Sequence, residues 1–146
     1  MKKLKLISIL SLLLFTSISC SDDDDTSTEV SNPTEITSTV TDGQWIVTLF
    51  KENDVVQTSN YSGYSFTFGA DGSLSATNGS TTQSGDWSTY TDSGYTKLDM
   101  MFTALDGPFE EISEDWRVIS RTTTKIELKH VSGGDGSIDY LTFEKD

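Results

Sequence analysis

The chain has 146 residues, a length that suits one domain, and its formal net charge of −13 argues against nucleic acid and against a basic patch for anionic lipid. Only 34% of the residues are hydrophobic, and the many Ser, Thr, Gly and Asp residues favour short strands and turns. The single cysteine, Cys20, excludes an intrachain disulfide, and the single histidine, His130, argues against a histidine-based metal cluster. We therefore predict neither a metal site nor a cofactor.

The N-terminal residues have the three-part pattern of a secretory signal peptide. Three lysines precede an apolar stretch at residues 6–15, and small residues then lead to Cys20. The apolar stretch is too short to span a hydrocarbon core of about 30 Å as a resident helix. Ser17-Ile18-Ser19-Cys20 resembles a bacterial lipobox. The resemblance implies that residues 1–19 are removed and that the Cys20 thiol is acylated. An ordinary signal peptide or an uncleaved anchor is the alternative.

A run of four aspartates follows the cysteine. Adjacent carboxylates on a flexible chain lack the spaced ligands and the turn of a calcium site. The tract instead resembles the acidic export signal that follows the lipid-bearing cysteine in surface lipoproteins of some Gram-negative bacteria. Its residues are Ser21, Asp22, Asp23, Asp24 and Asp25. The resemblance implies a protein that is anchored by lipid in the outer membrane and faces the cell exterior, so the membrane is one predicted partner.

Residues 20–42 are predicted to hold the lipidated cysteine, the export signal and a flexible tether. The tether, at residues 26–42, is rich in Ser, Thr and Glu, contains Pro33 and has only isolated aliphatic residues, as solvated linkers do. A short edge strand at residues 35–40 is the alternative. The folded domain is accordingly predicted to span residues 43–146, which contain 16 acidic and seven basic residues.

Apolar and polar residues alternate with a period of two in this domain, which predicts β-strands. The first strand places Trp45, Val47 and Leu49 on one face. Asp71-Gly72 is a strong hairpin signal between two later strands. The alternation also assigns to the inner face Tyr64, Phe66, Phe68, Leu74, Ala76, Leu98, Met100, Phe102, Trp116, Val118, Ile126, Leu128, Leu141 and Phe143. About eight antiparallel strands follow, which predict an all-β fold, an up-and-down barrel or a β-sandwich.

Two short motifs carry a resemblance to a known family. Gly43-Gln44-Trp45 resembles the Gly-x-Trp start of lipocalins. The order of the later motifs, among them Gly85-Asp86-Trp87, also resembles that family. Residues 43–145 thus resemble the small lipocalin-like domains of Gram-negative bacterial surface lipoproteins. The resemblance implies a lipocalin-like barrel. It also implies that Arg117 or Arg121 packs on the first-strand tryptophan.

The longest interruption of the strand pattern, residues 107–115, contains four carboxylates. They belong to Glu110, Glu111, Glu114 and Asp115. A solvated loop, a loose calcium site and a carboxylate pair for glycoside hydrolysis are the three interpretations. Glycosidase carboxylates are held on rigid elements and one of them has a raised pKa. A solvated loop is therefore the favoured interpretation.

Three residues are candidates for ligand binding at the barrel mouth. His130 has the same parity as Ile126 and Leu128, so we expect it to point inward at a strand end. A rim histidine with satisfied hydrogen bonds is the favoured interpretation, and contact with a ligand at the barrel mouth is the alternative. Tyr61 and Tyr90 do not clearly follow the core parity, so both are predicted to be exposed, where a ring can stack on a ligand.

The predicted function is that of a cell-surface lipoprotein whose barrel binds a small apolar ligand, or a partner, at one end. No nucleophile lies beside a base in the sequence, so we predict no enzyme. The alternative function is a structural or accessory lipoprotein that docks on an outer-membrane assembly. A cavity of about 300 Å³ or more would favour the small ligand. An exposed apolar patch of several hundred Å² would favour docking.

Overall fold

The computed structural model describes residues 31–146. In chain order the elements are α1 (Pro33–Val40), β1 (Trp45–Glu52), β2 (Val55–Val56), a 3₁₀-helix (Thr58–Tyr61), β3 (Ser65–Phe68), β4 (Ser73–Thr77), β5 (Thr82–Asp92), β6 (Tyr95–Phe102), α2 (Pro108–Glu111), β7 (Asp115–Arg121), β8 (Lys125–Val131) and β9 (Ile138–Lys145). Neither helix of this part is long and apolar enough to cross a membrane. The predictions for the signal peptide, Cys20 and the acidic tract lie outside the described residues.

The strands form one sheet, and eight of them close into an antiparallel barrel. The sheet order is β2-β1-β3-β4-β5-β6-β7-β8-β9, and β9 also pairs with β1. The strand β2 is a short hairpin arm on the end of β1, where Val56 pairs with Lys51. The prediction of an all-β, up-and-down barrel of eight strands is confirmed. The pairing of β1 with β9 decides against the β-sandwich, because it leaves no gap between two sheets.

A β-bulge in β1 changes which of its side chains face the interior. The pairing with β9 shifts register between Val47 and Leu49, so the alternation skips one residue there. Phe50 is consequently buried, with 1% of its surface exposed, whereas Leu49 is only partly buried. The prediction that Leu49 faces the core is wrong, because it continued a strict period of two across the bulge.

Aromatic rings fill the barrel interior. The Phe66 ring centroid lies 5.2 Å from that of Phe143 and 6.1 Å from that of Phe109. The buried apolar residues are Ile36, Val40, Trp45, Val47, Phe50, Tyr61, Phe66, Phe68, Leu74, Ala76, Trp87, Leu98, Met100, Phe102, Phe109, Ile112, Trp116, Ile126, Leu128, Leu141 and Phe143. Side chains of this size can occupy the whole interior of an eight-stranded barrel, so the barrel has a packed core.

The helix α1 overturns the prediction of a flexible tether up to residue 42, the alternative of an edge strand, and the domain start at residue 43. Asn32 and Glu35 form a capping box, in which each side chain accepts a hydrogen bond from the backbone N–H of the other. Ile36 and Val40 are fully buried. The prediction is wrong because it took these residues as isolated aliphatics, although a spacing of four places them on one helix face.

Hydrogen bonds fasten α1 over one end of the barrel. The indole Nε1 of Trp45 donates to the carbonyl oxygen of Val40 over 2.9 Å. The guanidinium of Arg121 donates to the hydroxyls of Ser31 and Thr39, each over 3.2 Å. The helix is therefore part of the folded domain, which includes residues from Ser31 onward.

The arginine contact that the lipocalin resemblance implied is made by a different residue. Lys145 Nζ lies 5.8 Å from the ring centroid of Trp45. Arg121 instead holds α1, and the Arg117 guanidinium stacks 3.3 Å above the ring centroid of Tyr95 on the outer face. Among the described residues neither arginine makes a cation–π contact with Trp45, since Arg117 lies on the outer face of β7 and Arg121 reaches across the end of the barrel to α1.

Candidate functional site

The end of the barrel opposite α1 contains most of the candidate residues. The helix α2 and the 3₁₀-helix lie there, with the start of β7, the end of β8 and the start of β9. Antiparallel register brings these strand ends together, since Arg117 pairs with Lys129 and His130 pairs with Asp139. We call this the α2 end and the opposite one the α1 end.

His130 lies among carboxylates at the rim of the α2 end. Its side chain is 17% exposed, and its ring packs against Trp116 with the centroids 5.9 Å apart. Nε2 lies 3.6 Å from a Glu114 oxygen and 3.8 Å from an Asp115 oxygen. Nδ1 lies 3.7 Å from an Asp139 oxygen. Each ring nitrogen therefore faces negative charge, and the inner side of the ring is apolar.

Further contacts hold two of these carboxylates in place. Lys97 Nζ donates to the second oxygen of Asp115 over 2.9 Å, and the backbone N–H of Asn53 donates to Asp139 over 3.0 Å. Asp99 lies opposite Asp115 across β6 and β7. Burial and the Asp115 charge raise the pKa of Asp99. The negative charges at this rim thus repel one another, and Lys97 offsets part of that repulsion.

Three residues of this rim could present ligands to a metal ion. One atom each from Glu114, Asp115 and His130 lies within 4.8 Å of the other two. Ligands about 2.1 Å from a tetrahedral zinc ion lie about 3.4 Å apart, slightly less than the distances found here. Lys97, on the second oxygen of Asp115, places a positive charge that opposes a cation. The arrangement is therefore a cluster of carboxylates around His130, with one ion pair between Lys97 and Asp115.

The sequence pattern does not predict this rim cluster. It places Glu114 and Asp115 in a loop and His130 at a strand end, and it gives no sign that Asp139 and Lys97 lie beside them. The register of β6, β7, β8 and β9 brings these residues together. Predicting the cluster would have required the register of these strands, which the sequence does not state.

Tyr61 is not exposed, so that prediction is wrong. The side chain is 1% exposed, and its ring makes edge contacts with Phe50 and Phe109 at centroid distances of 5.4 and 5.8 Å. Its hydroxyl donates to the carbonyl oxygen of Pro108 over 2.6 Å. Burial raises the pKa of this phenol. Tyr61 therefore closes the α2 end, because the 3₁₀-helix turns its ring inward.

The four carboxylates of residues 107–115 separate into two groups. Glu114 and Asp115 join His130, whereas Glu111 lies in α2 near Glu52 and the Tyr61 ring. One Glu111 oxygen is buried without a hydrogen-bond partner. Burial and the Glu52 charge raise the pKa of Glu111. A single turn of helix thus interrupts the predicted loop and directs its acidic residues to different surroundings.

Tyr90 is exposed, with 39% of its surface accessible. It lies in β5 opposite Lys97 of β6, on the outside of the barrel. Tyr61, Tyr90 and His130 therefore do not meet at a common mouth. Tyr61 lies inside, His130 at the rim and Tyr90 on the outer wall.

Three cavities are described, and all of them lie on the surface. One of about 740 Å³ lies beside α1 and is lined by Asn32, Glu35 and Arg121. Two others, of about 420 and 290 Å³, lie beside the turn after β1 and beside Arg117 and Lys129. None of the three is lined by a residue of the hydrophobic core. A ligand in any of them would contact the outer surface.

Comparison with known proteins supports the fold. No protein-family model matches the chain, and no curated protein matches it. The chain is similar to a solved structure, the crystal structure of a duf4847 family protein from Bacteroides vulgatus ATCC 8482. The TM-score is 0.51 at 15% sequence identity, and the match covers 76% of this chain and 97% of that one. At this level of identity the similarity shows a shared small barrel domain.

Proposed function

We propose that this protein is a lipid-anchored outer-membrane lipoprotein that faces the cell exterior and binds a partner through the outside of a filled, lipocalin-like barrel. One observation carries the proposal. Core side chains occupy the interior, while α1 covers one end and Phe109 and Tyr61 cover the other. The outer wall and the rim are therefore the surfaces left for binding. No catalytic step is proposed.

The position of α1 supports an orientation on the membrane. The carbonyl oxygen of Ser31 accepts a hydrogen bond from the Thr96 hydroxyl, and Arg121 binds the Ser31 hydroxyl. Cys20 precedes Ser31 by eleven residues, which span at most about 38 Å when extended. With the lipid of Cys20 in the bilayer, the chain enters the folded domain at the α1 end, which stays within about 38 Å of the membrane.

A second candidate function, docking on an outer-membrane assembly, is favoured by exposed apolar residues near the α2 end. Val55 and Val56 form the free arm β2, and both are exposed. Val131 and Ile138 pair across β8 and β9 and are exposed as well. Contiguous exposed apolar patches of several hundred Å² mark surfaces that contact another protein, and these four side chains are the candidates for such a patch.

The membrane address is tested by two changes in whole cells. Cys20→Ser should move the protein from the membrane fraction to the soluble fraction, because the acyl chains supply the anchoring free energy. Replacing Asp22, Asp23, Asp24 and Asp25 with alanine should leave the protein on the membrane but protect it from external protease. Unchanged protease sensitivity would contradict the export role of the tract.

The binding mode is tested with the purified chain from residue 20 that carries Cys20→Ser. Native mass spectrometry after exposure to a lipid extract and to haem should show no stoichiometric mass shift, because core side chains occupy the interior and the three cavities described lie on the surface. A reproducible one-to-one shift would overturn the filled scaffold and restore the small apolar ligand.

A further inference from the structure

Four cations form one row around the outside of the barrel, although the protein is strongly acidic. They are Lys51, Lys97, Arg117 and Lys129, which we call the basic row. Lys97 pairs with Arg117 across β6 and β7, and Arg117 pairs with Lys129 across β7 and β8. Tyr140 pairs with Lys129 on one side and with Lys51 on the other. The row is therefore continuous across five strands.

These side chains point outward. Residues paired directly across an antiparallel ladder lie on the same face, and their chain neighbours lie on the other face. The neighbours Leu98, Trp116 and Leu128 are buried in the core. Strands about 4.8 Å apart give a row of about 19 Å from β1 to β6.

Tyrosine rings accompany the cations. Tyr140 lies between Lys51 and Lys129, and the Lys51 ammonium is 6.0 Å from its ring centroid. Tyr90 lies at the far end, opposite Lys97. The Arg117 guanidinium stacks on Tyr95 at 3.3 Å, which holds the guanidinium flat against the sheet. The row therefore combines positive charge with aromatic faces.

The two central cations have no carboxylate partner. Lys97 binds Asp115 and Lys51 binds Asp54, at 2.9 and 2.7 Å. Neither Arg117 nor Lys129 lies within 4.0 Å of a carboxylate in residues 31–146. Like charges directly opposite each other destabilise a sheet. The folded domain alone does not benefit from this arrangement, whereas a bound anion would relieve the repulsion.

We infer that the basic row binds an acidic polysaccharide, with its carboxylate or sulfate groups on Arg117 and Lys129 and its sugar rings against Tyr140 and Tyr90. This inference rests on the proposed function, since it names the partner of the outer wall. Cations alone would serve an acidic peptide, but the tyrosine faces fit sugar rings. Duplex nucleic acid carries one charge per about 1.7 Å, so an oligonucleotide is included in the test as a competing polyanion.

The test uses the Cys20→Ser chain from residue 20 and measures its affinity for immobilised heparin and polygalacturonate, with neutral dextran as a control. Heparin offers sulfate groups and polygalacturonate offers carboxylates only. Arg117→Gln with Lys129→Gln should weaken binding about tenfold or more, equivalent to about 1.4 kcal/mol. Lys125→Gln is the matched control, because Lys125 lies on the same strand and face as Lys129 but pairs with Glu127.

A second pair of variants separates sugar stacking from charge. Tyr90→Ala should weaken binding severalfold, whereas Tyr90→Phe should retain it, because the ring remains. Binding should also weaken with added salt, since the four cations lie at the surface and are partly exposed.

Three results would overturn the inference. One is that the unmodified chain binds neither acidic polysaccharide. Another is that the double variant binds as tightly as the Lys125→Gln control. The last is that polyaspartate or oligonucleotide binds more tightly than both polysaccharides, which would assign the row to an acidic protein or to nucleic acid. None of these results changes the outcome of the fractionation, protease and mass-spectrometry tests, so failure of this inference and failure of the proposed function are distinguishable.

Discussion

Replacing Ile36 with alanine tests whether α1 belongs to the folded domain. Ile36 is fully buried. Truncating such a residue removes transfer free energy and leaves a cavity, and together these cost about 2–5 kcal/mol. Alanine favours the helix by a few tenths of a kcal/mol relative to isoleucine, which offsets a small part. We therefore expect Ile36→Ala to lower the free energy of unfolding by about 2–4 kcal/mol.

The assay is urea denaturation of the Cys20→Ser chain, followed by tryptophan fluorescence. Trp45 donates to the Val40 carbonyl oxygen, so its signal reports directly on the docked helix. Ser38→Ala, at an exposed position of the same helix, is the matched control and should change stability by no more than about 0.5 kcal/mol. A flexible tether would make both substitutions neutral. Equal stability of Ile36→Ala and Ser38→Ala would therefore refute the assignment of α1 to the domain.

Three substitutions probe the electrostatics and packing of the barrel. Glu111→Gln should raise the free energy of unfolding by about 1 kcal/mol at pH 7. The pKa of Glu111 is raised because the folded state disfavours the charged carboxylate, so the stabilisation should vanish as the pH falls through that pKa. Glu127→Gln should lower the free energy of unfolding by about 0.5 kcal/mol. Lys125 and Ser120 lower the pKa of Glu127, so the carboxylate stabilises the fold above pH 4.5. This contribution is lost as the pH falls through the lowered pKa. Denaturation at pH 7 and pH 3 checks both, and shifts of the same sign would contradict the assigned environments. Gly85→Ala should cost about 1–3 kcal/mol or more, because its Cβ would lie 2.2 Å from the Met101 carbonyl oxygen. Gly134→Ala, which meets nothing within 4 Å, is the control, and equal thermal midpoints would contradict the close approach of β5 and β6.

The barrel could be predicted because its signal is local. Alternating residues such as Phe66 and Phe68, or Ile126 and Leu128, show a period of two, which predicts a strand with one buried face. The bulge in β1 could not be predicted in this way. It inserts one residue into the pattern, and only the pairing with β9 shows where the phase changes.

The helix α1 was predictable in part. Asn32, Pro33 and Glu35 are a capping signal that precedes two apolar residues at helical spacing. The surrounding Ser and Thr residues favour a linker by composition, and this signal is stronger than the helical spacing of only two apolar residues. What stabilises the helix is burial of Ile36 and Val40 against a barrel that is distant in sequence, so the sequence pattern alone was a weak signal.

The candidate site depended on tertiary structure almost entirely. Tyr90 could be assigned to the surface from its parity, but Tyr61 could not be assigned to the interior, because the orientation of a 3₁₀-helix has no period to follow. His130 was placed at a strand end, yet Glu114 and Asp139 join it only through the register of β7, β8 and β9.

By itself, the sequence determined that the chain is all-β with about eight antiparallel strands, whereas the pairing of β1 with β9 decided for a barrel over a β-sandwich. The sequence also predicts a membrane address through Cys20 and the aspartate tract. The strand pattern and the processing motif both depend on residues that are neighbours in the chain, so the sequence alone shows them. Only the tertiary structure decided that the interior is filled and that α1 covers one end. It alone also aligned four cations in a row on an acidic protein. Strand register depends on contacts between residues that are far apart in the chain, so the sequence does not show which side chains become neighbours. A net charge of −13 describes the whole chain and does not show where the few cations lie.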